Sequence, residues 1–134
     1  MLRFALTALL LTLTLTPAMA DTATELVIVA GTEVPLPDAD TTIRLTGVQD
    51  VRCPSDVDCY WEGLIKIKLT LTDAKGAMHD IVLCNLCDDA TREAVALGYR
   101  FTFVRLEPGR DVLDHLDRPV FMSDYRLFLT VAAE

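Results

Sequence analysis

Four cysteines in two close pairs are the residues of this chain with the widest choice of chemistry. Five residues separate Cys53 from Cys59, and two separate Cys84 from Cys87. Such pairs form disulfides in oxidising compartments, hold metal ions as thiolates, or exchange electrons when a thiol pKa is lowered. The compartment in which the protein folds therefore decides how the cysteines are interpreted.

The first twenty residues have the pattern of an export signal. Arg3 precedes an apolar run from Phe4 to Leu15, and Ala18-Met19-Ala20 is typical of a signal-peptidase site. We expect a signal peptide over 1–20 and a periplasmic or secreted single domain over 21–134. Threonines interrupt the apolar run and Pro17 ends it, so it is shorter and more polar than the roughly 20 residues of a membrane span.

The charge of the chain limits its partners. Without the signal, eleven basic residues face twenty acidic ones, a net charge of −9. Nucleic acids and anionic membranes attract clustered Lys and Arg, so neither is expected to bind. The partner predicted from the sequence is a protein or small ligand of the cell envelope, and no cofactor is expected.

Alternating apolar and polar residues dominate the chain after the signal and predict β-strands. The clearest run places Ile65, Ile67, Leu69 and Leu71 on one face. Similar runs cover Leu26 to Val29, Thr42 to Val48, Asp80 to Leu83, and the segments around Phe101 and Leu129. We therefore predict a mostly β protein, an antiparallel β-sandwich or barrel of about six to eight strands with one short helix.

The predicted helix falls after the second cysteine pair. Asp88 to Leu97 is rich in alanine, begins with acids and is followed by Gly98, which are helix signals. Val112 to Met122 has no steady period and is predicted to be a long loop, of the kind that often carries function.

The most specific motif surrounds the first cysteine pair. It is Asp50-Val51-Arg52-Cys53-Pro54-Ser55-Asp56-Val57-Asp58-Cys59-Tyr60-Trp61-Glu62-Gly63. These fourteen residues resemble the D-S-R-C-P-x-x-V-x-C-V-W-x-G signature of a family of small exported bacterial proteins and lipoproteins without an assigned biochemical activity. Val51 and Tyr60 depart from the pattern. The resemblance implies an exported β domain and transfers no catalytic residue.

Physically, the spacing of Cys53 and Cys59 favours a disulfide within one loop, worth about 2–3 kcal/mol in the loop-entropy model. We predict that this loop leads into a strand beginning at Tyr60, on which Trp61 packs on the same face as Ile65. Asp50 and Arg52 flank the loop and are expected to pair or to cap a turn. The disulfide is expected to hold this segment rigid as a recognition loop. Its candidate binding residues are Asp50, Arg52, Trp61 and Glu62.

The second pair, Cys84-Asn85-Leu86-Cys87, is open to three interpretations. A strand, a Cys-x-x-Cys and a predicted helix resemble a redox site locally, although Asp88 and Asp89 should raise the thiol pKa values. Zinc bound by all four cysteines, or copper bound with Met78 and His79, is the metal-handling alternative. A local disulfide is the third, and four cysteines allow three pairings.

Few residues are suited to conventional catalysis. The segment after the signal contains two His, His79 and His115, and two Ser, Ser55 and Ser123, without a recognised hydrolase, metalloprotease or phosphate-binding motif. We therefore expect an exported, non-catalytic binding module stapled by disulfides. The alternative is a thiol redox or metal-handling role for Cys84 and Cys87.

Overall fold

A computed structural model describes residues 22–134, so the predicted export signal lies outside the described residues. The described chain forms eight strands, one α-helix and one 3₁₀ turn. The strands are β1 (Thr24–Val29), β2 (Glu33–Pro35), β3 (Thr42–Asp50), β4 (Ile65–Thr72), β5 (Met78–Asn85), β6 (Glu93–Ala96), β7 (Tyr99–Glu107) and β8 (Arg126–Ala133). Helix α1 spans Arg110–Asp114, and the 3₁₀ turn spans Met122–Asp124.

The strands form two antiparallel sheets of four. One sheet has the order β2-β3-β4-β5 and the other β1-β8-β7-β6. Apart from the β1–β8 pair, which joins the chain ends, every paired strand is next to its partner in sequence. This arrangement confirms the predicted mostly β fold with antiparallel sandwich packing and one short helix.

The inward faces of both sheets share one apolar core, as strict alternation along the strands predicts. In β4, Ile65, Ile67, Leu69 and Leu71 are buried while the lysines and threonines between them face outward. Leu127, Leu129 and Val131 of β8 and Phe101 of β7 close the core from the other sheet. No helix among residues 22–134 is long and apolar enough to cross a membrane.

The helix predicted over Asp88 to Leu97 is wrong. This segment contains strand β6, and the carbonyls of Thr91 and Arg92 accept hydrogen bonds from the backbone N–H groups of Cys84 and Phe103. Leu97 and Gly98 then turn the chain into β7 with positive φ angles of 51° and 76°. Pairing of β6 with β7, the strand that follows it, therefore overrides the local helix preference of the alanines.

The helix occurs instead at Arg110–Asp114, which overlaps the predicted long loop of 112–122.

The strand expected to begin at Tyr60 begins at Ile65. Gly63 interrupts it, because its positive φ of 78° is not a strand conformation. Trp61 consequently does not pack on the same strand face as Ile65 and is 56% exposed.

Candidate functional site

Residues 51–64 connect β3 to β4 and form a long loop closed at two levels. At its base, the backbone N–H of Val51 donates to the Leu64 carbonyl at 3.0 Å, and that of Cys53 donates to the Glu62 carbonyl at 2.9 Å. Beyond these bonds, the Cys53–Cys59 disulfide closes the tip. The strand pairing is thus extended past Asp50, and the tip is held as a small ring.

Asp50 and Arg52 anchor this loop to the rest of the protein. Arg52 donates from Nε to Asp50 Oδ1 at 2.8 Å and from Nη2 to Asp50 Oδ2 at 2.7 Å. Its guanidinium also donates to the carbonyls of Leu106 at 2.9 Å and Pro108 at 2.8 Å, beside helix α1. The predicted pairing of Asp50 with Arg52 is therefore confirmed, and it ties the loop to the end of β7.

The anchor is buried and electrostatically balanced. The Asp50 side chain is fully buried and that of Arg52 is 20% exposed. Burial pushes the pKa of Asp50 upward, but hydrogen bonds and charge from Arg52, with a contribution from Arg110, hold that pKa below its usual value. Tyr125 donates its hydroxyl to Asp50 Oδ2 at 3.3 Å, and burial followed by the Asp50 charge raises the tyrosine pKa.

The second disulfide, Cys84–Cys87, closes a ring at the end of β5. Cys84 lies opposite Lys66 of β4, on the outward face of the sheet, yet it is buried. Within the ring, Leu86 has a left-handed backbone with φ of 69° and a side chain that is 60% exposed. The ring therefore presents an apolar side chain to solvent on the outer face of the sheet.

The two disulfide loops meet at a groove on this outer face. Its volume is about 510 Å³, and its lining includes Gln49, Trp61, Lys66, Leu86, Cys87 and Asp88. Lys66 also bonds Asp89 at 2.7 Å between Nζ and Oδ2, and this ion pair lowers the pKa of Asp89. We call this cavity the loop groove.

A smaller cavity of about 310 Å³ adjoins the loop groove and shares Gln49 and Lys66 with it. The rest of its lining includes Gly47, Lys68 and Val82, and we call it the side hollow. The register of β3 against β4 shifts between Leu45 and Gly47, which is a β-bulge. Gly47 has no side chain to fill the hollow. A Cβ at this position would crowd Lys68, because it would lie 3.2 Å from the Lys68 Cβ.

The structure separates the four predicted recognition residues into two pairs. Asp50 and Arg52 are committed to internal bonds, whereas Trp61 and Glu62 are exposed. The loop that follows β7 does lie beside the first disulfide loop. Arg110 donates to the Asp50 carbonyl at 3.5 Å, and His115 Nε2 is 3.8 Å from Asp56 Oδ2.

The predicted metal ligands are dispersed in this arrangement. The cysteines are bridged as Cys53–Cys59 and Cys84–Cys87, which is one of the three pairings left open by the sequence. Met78 begins β5, about 20 Å along the strand from Cys84. His79 contacts Asp73 at 3.2 Å, and within residues 22–134 no three His, Cys, Asp or Glu side chains are placed to hold a metal ion.

His115 and the two serines do not form a catalytic group in the described chain. His115 Nδ1 lies 2.6 Å from the Asp111 carbonyl, which acts with the charge of Asp56 to raise the histidine pKa. His115 and Ser55 are both exposed. Ser123 lines a different cavity with Asp124 and Arg126.

Several groove residues have no chemical signal in the sequence. Gln49 and Lys66 are outward-facing strand residues, and nothing in the sequence distinguishes them from other polar residues on the strands. Leu86 lies between the cysteines of the Cys-x-x-Cys and has no chemistry of its own. Gly47 did carry a signal, because a glycine inside a strand pattern often marks a bulge or a close approach.

Comparison of the chain with protein-family models, with curated proteins and with solved structures returned no match.

Proposed function

We propose that this protein is an exported, non-catalytic binding module of the cell envelope that captures its partner at the loop groove. The observation that carries the proposal is the meeting of Trp61 and Leu86 in one groove. Each residue comes from a different loop, and each loop is closed by its own disulfide.

Exposed apolar side chains that gather at one cavity are typical of interaction sites. Trp61 and Leu86 are both more than half exposed, and large aromatic residues are the commonest centres of binding energy in protein interfaces. Rigid loops lose little conformational entropy on binding, so the disulfides would raise affinity by pre-organising the surface. Two disulfides also support an oxidising compartment, in keeping with the predicted signal peptide.

The proposal is tested by capture of envelope proteins on immobilised protein, with Trp61→Ala and Leu86→Ser as separate variants. We expect each change to weaken capture at least tenfold, because each removes one apolar wall of the groove. Met78→Ala is the matched control, since Met78 is 75% exposed but lies at the opposite end of β5. Unchanged capture by both groove variants would remove the proposal.

Thiol exchange at Cys84 and Cys87 is the second candidate, and one observation favours it. Cys87 lines the groove while Cys84 is buried, so a reductant reaches the disulfide from one side. The acids Asp88 and Asp89 act against it, because negative charge disfavours a thiolate. Two measurements on one sample distinguish thiol exchange from the binding module: intact mass after mild reduction and alkylation, and metal analysis. A disulfide that resists reduction, without metal, supports the binding module.

A further inference from the structure

Three phenylalanine rings of this protein are each covered by an arginine side chain, and the Trp61 ring is not. Arginine side chains lie over Phe103, Phe128 and Phe121, at 5.5, 3.6 and 5.4 Å from the ring centres. No Lys or Arg of residues 22–134 lies over the Trp61 ring. Tryptophan attracts cations more strongly than the other aromatic residues do, so the best cation acceptor of the chain is left for a ligand.

The charges around the loop groove favour a cation. Lys66 is neutralised by Asp89, and Lys68 is neutralised by Asp80 at 2.7 Å. Asp88 lines the groove, and its carboxylate forms no hydrogen bond or ion pair within residues 22–134. The groove therefore keeps an uncompensated negative charge beside its aromatic wall.

The shape of the groove favours a polypeptide over a small molecule. Small-molecule sites bury about 70–90% or more of their ligand, whereas both apolar walls here are more than half exposed. The side hollow continues the groove past Gln49 and Lys66 and ends at Gly47 and Val82. An extended segment can place one side chain in each cavity.

We propose that the loop groove binds an extended segment of a partner protein through an arginine or lysine side chain stacked on Trp61. Asp88 neutralises its charge, Leu86 covers its methylene groups, and an apolar side chain of the same segment enters the side hollow. This inference rests on the proposed function and assigns the chemistry of the partner.

The fluorescence of the protein tests the inference directly, because Trp61 is the single tryptophan of the chain. The probe is a capped eight-residue peptide of alternating arginine and valine. Its control replaces each arginine by citrulline, which keeps the shape and removes the charge. We expect a saturable change in Trp61 emission with the arginine peptide, at least tenfold weaker binding of the citrulline peptide, and weaker binding as salt rises.

Asp88→Asn is expected to weaken binding of the arginine peptide at least threefold. Asp40→Asn is the matched control, because it removes the same charge from an exposed acid in the β2–β3 connection, at the other end of β3. Equal affinity for both peptides, no fluorescence response at millimolar arginine peptide, or identical effects of the two variants would each overturn the inference.

The outcomes separate this inference from the proposal on which it rests. If Trp61→Ala abolishes partner capture but Asp88→Asn and salt do not affect it, the binding module stands and the basic segment is rejected. Partner capture that is insensitive to Trp61→Ala and Leu86→Ser rejects the binding module itself.

Discussion

Arg52 and Asp50 form a two-point ion pair between residues only two positions apart, with Nε–Oδ1 and Nη2–Oδ2 distances of 2.8 and 2.7 Å. The same guanidinium donates to the carbonyls of Leu106 and Pro108. One local pair therefore fastens the disulfide loop to the far end of β7.

Arg52→Ala is expected to destabilise the protein by about 3–5 kcal/mol, because it leaves the buried Asp50 carboxylate without its counter-charge. Urea unfolding followed by circular dichroism measures the loss. Arg44→Ala is the control: Arg44 pairs with Glu33 on the surface, where both side chains are about half exposed, and its loss should cost less than about 1 kcal/mol. Equal losses for the two variants would show that the Arg52 anchor is no stronger than a surface pair.

Gly63→Ala is expected to be much more damaging than Gly76→Ala. Both glycines have positive φ, 78° and 80°, so both substitutions incur the left-handed penalty of about 1–2 kcal/mol. Only at Gly63 would the new Cβ lie 1.9 Å from the Val51 carbonyl oxygen, since the space around Gly76 is open. We expect Gly63→Ala to lower the free energy of unfolding in urea by about 1–3 kcal/mol more than Gly76→Ala does. Equal losses for the two variants would mean that the base of the loop relaxes freely.

Each cysteine pair is expected to contribute to stability. Replacing Cys53 and Cys59 by alanine should cost about 2–3 kcal/mol, and replacing Cys84 and Cys87 about 2 kcal/mol, because smaller rings restrict the unfolded chain less. Unfolding of both double variants without reductant gives the values. A Cys84/Cys87 double variant of unchanged stability that has lost a thiol-exchange activity would favour the redox alternative.

Asp124 is expected to titrate well below an ordinary aspartate. Its hydrogen bonds from Arg118 and from the Phe121 backbone lower its pKa to about 2. Because the folded pKa lies below the unfolded value of about 3.9, the stabilisation is complete above that value and is lost as the pH falls towards 2. Carboxyl NMR titration checks this, and Arg118→Gln should move the pKa of Asp124 upward; a variant that leaves it near 2 would contradict the assigned cause.

Strand periodicity was sufficient to predict the fold class. A period of two along β4 and β8 specifies one apolar face. The hydrophobic effect buries this face whichever strand packs opposite it. The prediction of a helix over Asp88 to Leu97 is wrong because helix propensity is local, while β6 is held by pairing with β7, and Thr91 and Arg92 before it bond Cys84 and Phe103. The alanines and acids of the segment favour a helix by propensity and carry no sign of that pairing.

The candidate site was only partly predictable for the same reason. The short spacing of the cysteines and Trp61 as a candidate binding residue belong to single segments, so the sequence could point to them. It did not predict that Trp61 is exposed, because it placed this residue on the strand face of Ile65. Separation of Asp50 and Arg52 from Trp61 and Glu62 required knowing which side of the loop faces Leu106 and Pro108.

By itself, the sequence determined a β protein with acidic charge and two closely spaced cysteine pairs, because alternation, composition and short cysteine spacings are properties of neighbouring residues. Only the tertiary structure decided that Gln49, Lys66 and Cys84 form one row across three strands, bringing Trp61 and Leu86 to one groove. Cross-strand register depends on how distant segments pack together, and that information is distributed over the whole chain.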